Sequence, residues 1–242
     1  MDVINRRILA ATVLLVGATA APTAAQSITS PYDFVDSRHG VYVFGASVFT
    51  DRGTLGTGPE GGYAAGIEYT YRVGGPFSLA GRIAYLPTQR RVYDDTSTLA
   101  DSLAVRSDPT FGLEQIATAD LSLVMLDASL RFDFTGPRTW YKLQPYALIG
   151  VGGVRSISQA RTGDAQLPPD ENIRVQFQDG FTGHVGAGVE WYVSERITVR
   201  ADARDLLWKV HIPPGFRSTG RIIDLEQWVQ TAHLSLGLSL RF

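Results

Sequence analysis

Eight stretches of the chain alternate apolar and polar residues with a period of two, the mark of a strand whose two faces meet different surroundings. The first spans residues 41–50, with Tyr42, Phe44, Ala46 and Val48 on one face and Gly45 and Ser47 on the other. A reading one residue out of phase is open here. In residues 62–73, Tyr63, Ile67, Tyr69 and Val73 oppose Gly66, Glu68, Thr70 and Arg72. In residues 77–87, Leu79, Ile83 and Tyr85 oppose Ser78, Ala80 and Arg82. The fourth ends with Ala128, Leu130, Phe132 and Phe134 against Asp127, Ser129, Arg131 and Asp133. Just before it, over residues 121–126, both faces are apolar, so a bulge or register shift is open there. The fifth spans residues 143–154. The sixth sets Val185, Val189 and Trp191 against His184 and Glu190, and the seventh sets Ile197 and Val199 against Arg200, Asp202 and Arg204. In the last, Leu234, Leu236, Leu238, Leu240 and Phe242 alternate with His233, Ser235, Gly237, Ser239 and Arg241.

Connections alternate between short and long. Gly74-Gly75-Pro76, the segment around Gly136-Pro137-Arg138, and Ser194-Glu195-Arg196 are tight turns of suitable composition. Residues 51–61, 88–119, 155–182 and 206–228 make longer polar connections. The pattern predicts an all-β fold: an eight-stranded antiparallel up-and-down transmembrane β-barrel with short periplasmic turns and long extracellular loops. Size sets which face points inward, because a barrel of eight strands has an interior just wide enough for side chains. Large apolar residues therefore belong outside, in lipid, and closure pairs every backbone group that a bilayer would leave unsatisfied. Aromatic residues gather at the short-turn end: Tyr69, Tyr71, Phe77, Phe132, Phe134, Trp140, Tyr141, Trp191 and Phe242, the placement of an interfacial girdle.

The N-terminus and composition agree with export. Arg6 and Arg7 precede an apolar run at residues 8–16, too short for a spanning helix, and Thr23-Ala24-Ala25 is a small-residue cleavage site. Residues 1–25 are predicted as a signal peptide, 26–39 as an N-terminal periplasmic segment and 40–242 as the barrel. Removing residues 1–25 leaves 20 basic against 23 acidic residues, which argues against nucleic acid as a partner. The chain has no cysteine, so disulfides and thiolate metal sites are excluded.

Pro145-Tyr146 leading to Gly150-Val151-Gly152, the run Gly186-Ala187-Gly188-Val189-Glu190-Trp191, and the closing strand to Phe242 carry a resemblance. The chain resembles the small outer-membrane β-barrel family, the outer-membrane protein A-like and X-like transmembrane barrels. That resemblance implies a bacterial outer-membrane location and outer-membrane lipids as surroundings. It also implies recognition by the barrel-assembly machinery through Leu234, Leu236, Leu238, Leu240 and Phe242. Nothing follows Phe242 in the sequence, so no peptidoglycan-binding domain is expected.

The predicted lumen carries Glu68, Arg72, Arg82, Asp127, Arg131, Asp133, Glu190, Arg200, Asp202, Arg204 and Arg241. Unpaired charge in a narrow interior is costly, so these groups are expected to pair and hold the barrel shut. Glu190 and Arg200, at similar distances from a tight turn, are expected to meet. His184 and His233 face the lumen with Asp202 and Arg204 between them, a grouping from which acid–base or metal chemistry can be built. His233 and Ser235 are similar to the histidine–serine pair of outer-membrane lipid A deacylases, which face lipid; this pair is expected to face inward. Asp94, Asp95 and Asp101 fall in a long loop and read as solvated charges. No cofactor is implied. The expectation is a monomeric, non-enzymatic barrel, structural or surface-interacting, with extracellular ligands met by the long loops. The alternatives are a lipid-modifying enzyme, which needs His, Ser or Asp clustered at the outer leaflet, and a narrow conduit for small apolar solutes, which needs an apolar lumen with a lateral opening.

Overall fold

A computed structural model describes residues 30–53, 55–56, 58–97, 101–108, 110–157, 180–211 and 226–242. The leader at residues 1–25 lies outside the described residues, and Pro31–Phe242 forms a unit of its own. Its strands are β1 (Tyr32–Phe34), β2 (His39–Thr50), β3 (Gly62–Gly74), β4 (Phe77–Asp95), β5 (Leu113–Asp133), β6 (Arg138–Trp140), β7 (Leu143–Ser156), β8 (Gly180–Tyr192), β9 (Ile197–His211) and β10 (Glu226–Arg241). One six-residue helix, α1 (Ser102–Ser107), joins β4 to β5.

Eight strands close a ring in the order β2-β3-β4-β5-β7-β8-β9-β10, every pair antiparallel. Following cross-strand partners from His39 through Tyr71, Leu79, Leu130, Ile149, Val185, Asp205 and Ala232 returns to β2 at Phe49, ten residues from the start. That stagger tilts the strands and fixes a barrel whose interior side chains fill. β1 and β6 stand outside the ring and pair with each other.

Alternation sorts the side chains as predicted on seven of the eight strands. Leu79, Ile83, Leu130, Ile149, Val185 and Leu238 point out, while Arg82, Ser129, Tyr146, His184, Asp202 and Ser239 point in. β2 corrects the prediction: Tyr42, Phe44, Ala46 and Val48 are buried in the lumen, and Val43 and Phe49 face outward. The alternative phase is the real one. Its cause lies in the lumen itself, whose long-loop half is apolar. Ala64, Ala84, Leu86, Leu123, Met125, Leu206 and Trp208 pack there as a buried cluster with the four β2 residues. The same layer explains the two-sided apolar stretch at residues 121–126. Its ladder with β4 runs unbroken, with Leu121, Leu123 and Met125 inside, and the irregularity in this pair falls at Val92/Tyr93.

Two predicted loops are partly strand. β4 continues to Asp95 and β5 begins at Leu113, forming a ribbon above the ring with a small core of Leu55, Val92 and Ala119. β9 continues to His211 and β10 begins at Glu226. In the β4–β5 ribbon the outward face stands above the lipid and is polar, and in β9 Leu206 and Trp208 face an apolar lumen while Leu207 faces outward, so in both places the hydrophobic period that betrays a half-buried strand is lost.

Candidate functional site

The lumen has two storeys, charged at the short-turn end and apolar at the long-loop end. In the charged storey two clusters form. Glu68, fully buried on β3, accepts from Arg200 Nη1 at 2.7 Å and from Arg204 Nη2. Asp202 lies 3.0 Å from Arg204 Nε, 3.4 Å from Arg200 Nε and 3.5 Å from Arg82 Nη1. Glu190, equally buried on β8, accepts from Arg131 Nη2 at 3.0 Å, from Arg241 Nε at 3.0 Å and again from Arg241 Nη2. Thr198 Oγ1 adds a fourth bond to it at 2.6 Å, and Arg131 Nε also reaches Asp133 at 2.6 Å.

Aromatic rings join the clusters. Arg131 and Arg200 lie 3.8 and 4.9 Å from the centre of the Tyr146 ring, and the Tyr146 hydroxyl accepts from Arg200 Nε at 2.6 Å. Arg82 stacks on Phe44 at 3.8 Å and Arg200 on Tyr42 at 4.5 Å. A guanidinium suits this setting because it pairs through a planar fork and is weakly hydrated on its faces.

The structure thus brings together Glu68, Arg82, Arg200, Asp202 and Arg204, and separately Arg131, Asp133, Glu190 and Arg241. Two predicted lumen charges stand apart. Arg72 donates to the Val35 carbonyl at 2.7 Å, below the ring. Asp127 lies beside His184, its Oδ1 4.0 Å from Nδ1. Glu190 and Arg200 are cross-strand partners in register, but their ion pairs run elsewhere: Arg200 reaches across the lumen to Glu68, and Glu190 takes Arg131 and Arg241. Register was legible and reach was not, since an arginine is long enough to skip its neighbour.

His184 Nε2 and Ser129 Oγ are 2.8 Å apart, so Ser129, His184 and Asp127 form a line that the sequence did not single out. Gly150 lies between Ser129 and His184 in the ladder, and a Cβ there would come within 2.5 Å of His184 Nε2. The line falls short of a nucleophile–base–orienter arrangement. At 4.0 Å the histidine–aspartate contact exceeds hydrogen-bond length, and Ser129 and His184 are buried. His233 and Ser235 face inward and are buried. No group of three or more His, Asp or Glu among the described residues is placed to hold a metal. Arg90, on the part of β4 that the sequence pattern predicts as loop, is a further buried arginine at 1 % exposure.

On the outside, Leu234, Leu236, Leu238, Leu240 and Phe242 form a continuous exposed row. Phe242 and His39 exchange backbone hydrogen bonds at the seam where β10 meets β2, and their rings stack at 5.7 Å. Among the described residues no helix is long and apolar enough to cross a membrane. The apolar outer wall and the closed ladder are what a bilayer requires of strands instead.

Comparison with known proteins agrees with this geometry. The family model described as "Outer membrane protein beta-barrel domain" matches residues 11–242. Neisserial surface protein A is 15% identical, with 84% of this chain and 97% of that chain covered and a TM-score of 0.51. The outer membrane protein OprG from Pseudomonas aeruginosa is 11% identical, with 88% and 99% covered and a TM-score of 0.51. At these identities the two structures show a shared fold. No curated protein sequence matches. The chain belongs to the outer membrane protein β-barrel family, and its place is the outer membrane of a Gram-negative bacterium.

Proposed function

We propose that this protein is a closed, non-enzymatic barrel that works through its extracellular surface, with a lumen locked by charge pairs. The observation that carries the reading is the Glu190 cluster: one buried carboxylate held by two buried arginines from strands on either side of the barrel. Glu68 and Asp202 repeat the arrangement one layer higher, and an apolar storey packs above them. Extracellular partners would meet the β4–β5 ribbon, whose tip exposes Leu103 and Phe111. Residues 1–25 act in this reading as a cleaved export signal, and the row ending at Phe242 as the assembly signal. Swelling of proteoliposomes in small neutral sugars tests the reading. A sealed barrel leaves the rate at that of protein-free vesicles, and swelling at the rate of an open pore overturns it.

One observation favours a conduit for small apolar solutes as the second reading. The β3–β4 ladder stops at Ala65 and Tyr85 and is next bridged at Pro59 and Arg90. Pro87, which has no N–H to donate, lies in the interval, directly outside the apolar storey at Leu86 and Ala64. Uptake of an apolar tracer by cells carrying the protein, abolished when Ala64 is enlarged to Phe, would favour this reading over the first.

A further inference from the structure

β1 and β6 form a two-stranded ribbon below the ring, and its two faces differ. Tyr32 pairs with Trp140, Phe34 with Arg138, and Trp140 with Leu143 at the foot of β7. Directly paired residues point to the same side of a sheet. Tyr32, Phe34, Arg138 and Trp140 therefore continue the lipid-facing side of the wall that holds Leu143 and its partner Trp191. On the other side of the ribbon, Asp33 and Thr139 line a cavity of about 670 Å³ at the periplasmic mouth, which Phe34 and Lys142 also border. Tyr32, Phe34, Trp140 and Tyr141 are 47 to 68% exposed, a dense aromatic patch for a surface that would otherwise meet water.

The turn between β6 and β7 supplies an independent observation. Tyr141 and Lys142 both have positive φ, 48° and 64°. A two-residue hairpin of this conformation favours Asn-Gly, and other residues hold it at a cost. Turn chemistry does not account for a tyrosine and a lysine here, so their side chains have another use. Lys142 and Arg138 bring positive charge to the rim of the aromatic patch, and the Arg138 guanidinium lies 4.4 Å above the Phe34 ring.

We infer that the β1–β6 ribbon is a membrane foot: Tyr32, Phe34, Trp140 and Tyr141 sit at the headgroup–acyl boundary of the periplasmic leaflet, and Arg138 and Lys142 reach the phospholipid phosphates. Aromatic rings with a polar edge favour that boundary, and long basic side chains extend from it to the phosphates. The occupant follows from continuity, since the patch extends the lipid-facing girdle at Trp191 and Leu143 without a break. One consequence concerns residues 35–38, which run from the foot to His39 past the barrel mouth and hold Arg72 through the Val35 carbonyl. Lipid then steadies one end of this strap, in addition to the hydrogen bonds from the Val35 N–H to the Pro137 carbonyl and from the Arg72 N–H to the Arg38 carbonyl.

The absence of cysteine makes single-site spin labelling clean. Asp33→Cys and Phe34→Cys, each carrying a nitroxide, are compared in phosphatidylethanolamine–phosphatidylglycerol vesicles by collision with oxygen and with a nickel chelate. The foot predicts an inversion between adjacent positions, with 34 favouring oxygen and 33 favouring nickel. Equal nickel access at both would overturn it. A label at Asp36→Cys reads the strap without touching the patch. Tyr32→Ser/Phe34→Ser is expected to mobilise that label in vesicles while the barrel stays folded by heat-modifiability. Tyr141→Asn/Lys142→Gly separates lipid docking from turn formation. It relieves the turn, so a purely structural role predicts a label as rigid as before or more so, whereas the foot predicts a more mobile one. An unmoved label in both variants refutes the inference.

Discussion

Glu190→Ala is the sharpest perturbation the lumen offers. The carboxylate accepts four hydrogen bonds, three of them from guanidinium groups, in a site with no exposure. Its loss falls unequally on its partners. Arg131 keeps Asp133 at 2.6 Å, whereas both carboxylate bonds of Arg241 go to Glu190. The variant thus strands one buried cation, and breaking a buried pair in this way costs about 3–5 kcal/mol. Arg241→Ala should cost less, because Glu190 retains Arg131 and Thr198. The double variant should cost well below the sum, with a coupling of roughly 1.5–3 kcal/mol for residues in direct contact. A parallel cycle on Glu190 and Arg200, which are in register without a direct ion pair, should give a smaller coupling. The assay is urea unfolding in lipid vesicles, followed by tryptophan fluorescence and by heat-modifiable mobility. Additive losses for Glu190 and Arg241, or a cost for Glu190→Ala near that of a surface substitution, would refute the reasoning.

Leu238→Lys places an ammonium on the lipid-facing wall four residues above Phe242, at a cost of roughly 2–4 kcal/mol near mid-bilayer; membrane fractionation should show it depleted beside wild type and Ser239→Asn. Gly237→Ala should destabilise strongly, since its Cβ would collide with the Val43 carbonyl oxygen, whereas Gly45→Ala has nothing within 4 Å and should unfold at the wild-type urea concentration. Tyr141→Asn/Lys142→Gly should raise stability in detergent micelles by about 0.5–1 kcal/mol, because both positions hold positive φ; an unfolding midpoint at or below wild type would show that the turn is unstrained.

Much of the barrel was legible because a membrane protein of this size must be two-faced along every strand. Leu130 against Arg131, or Leu240 against Arg241, states which side is lipid. β2 was misread where that contrast fails. Val41 and Val43 are as apolar as Tyr42 and Phe44, and the lumen beside Phe44 and Val48 is itself apolar, so hydrophobicity no longer distinguishes inside from outside. The upper parts of β4 and β5 were missed for the opposite reason. Gln89, Arg91, Thr118 and Asp120 stand above the lipid, where a strand face has no need to be greasy. In the site, the sequence placed each charged residue on the inward face, but partner choice needed three dimensions. Arg200 bypasses its register neighbour for Glu68 across the barrel, and the rings of Tyr42 and Tyr146 that separate the guanidinium groups are invisible to a count of charges. The β1–β6 ribbon was hidden because each strand has three residues, too few to show a period.

The central claim is a lumen closed by paired charge, and single-channel recording of the purified protein in planar bilayers tests it most directly. The account predicts a silent baseline for wild type with at most rare, brief openings, and more frequent openings for Glu190→Ala. Steady openings of porin size in the wild-type protein would contradict it.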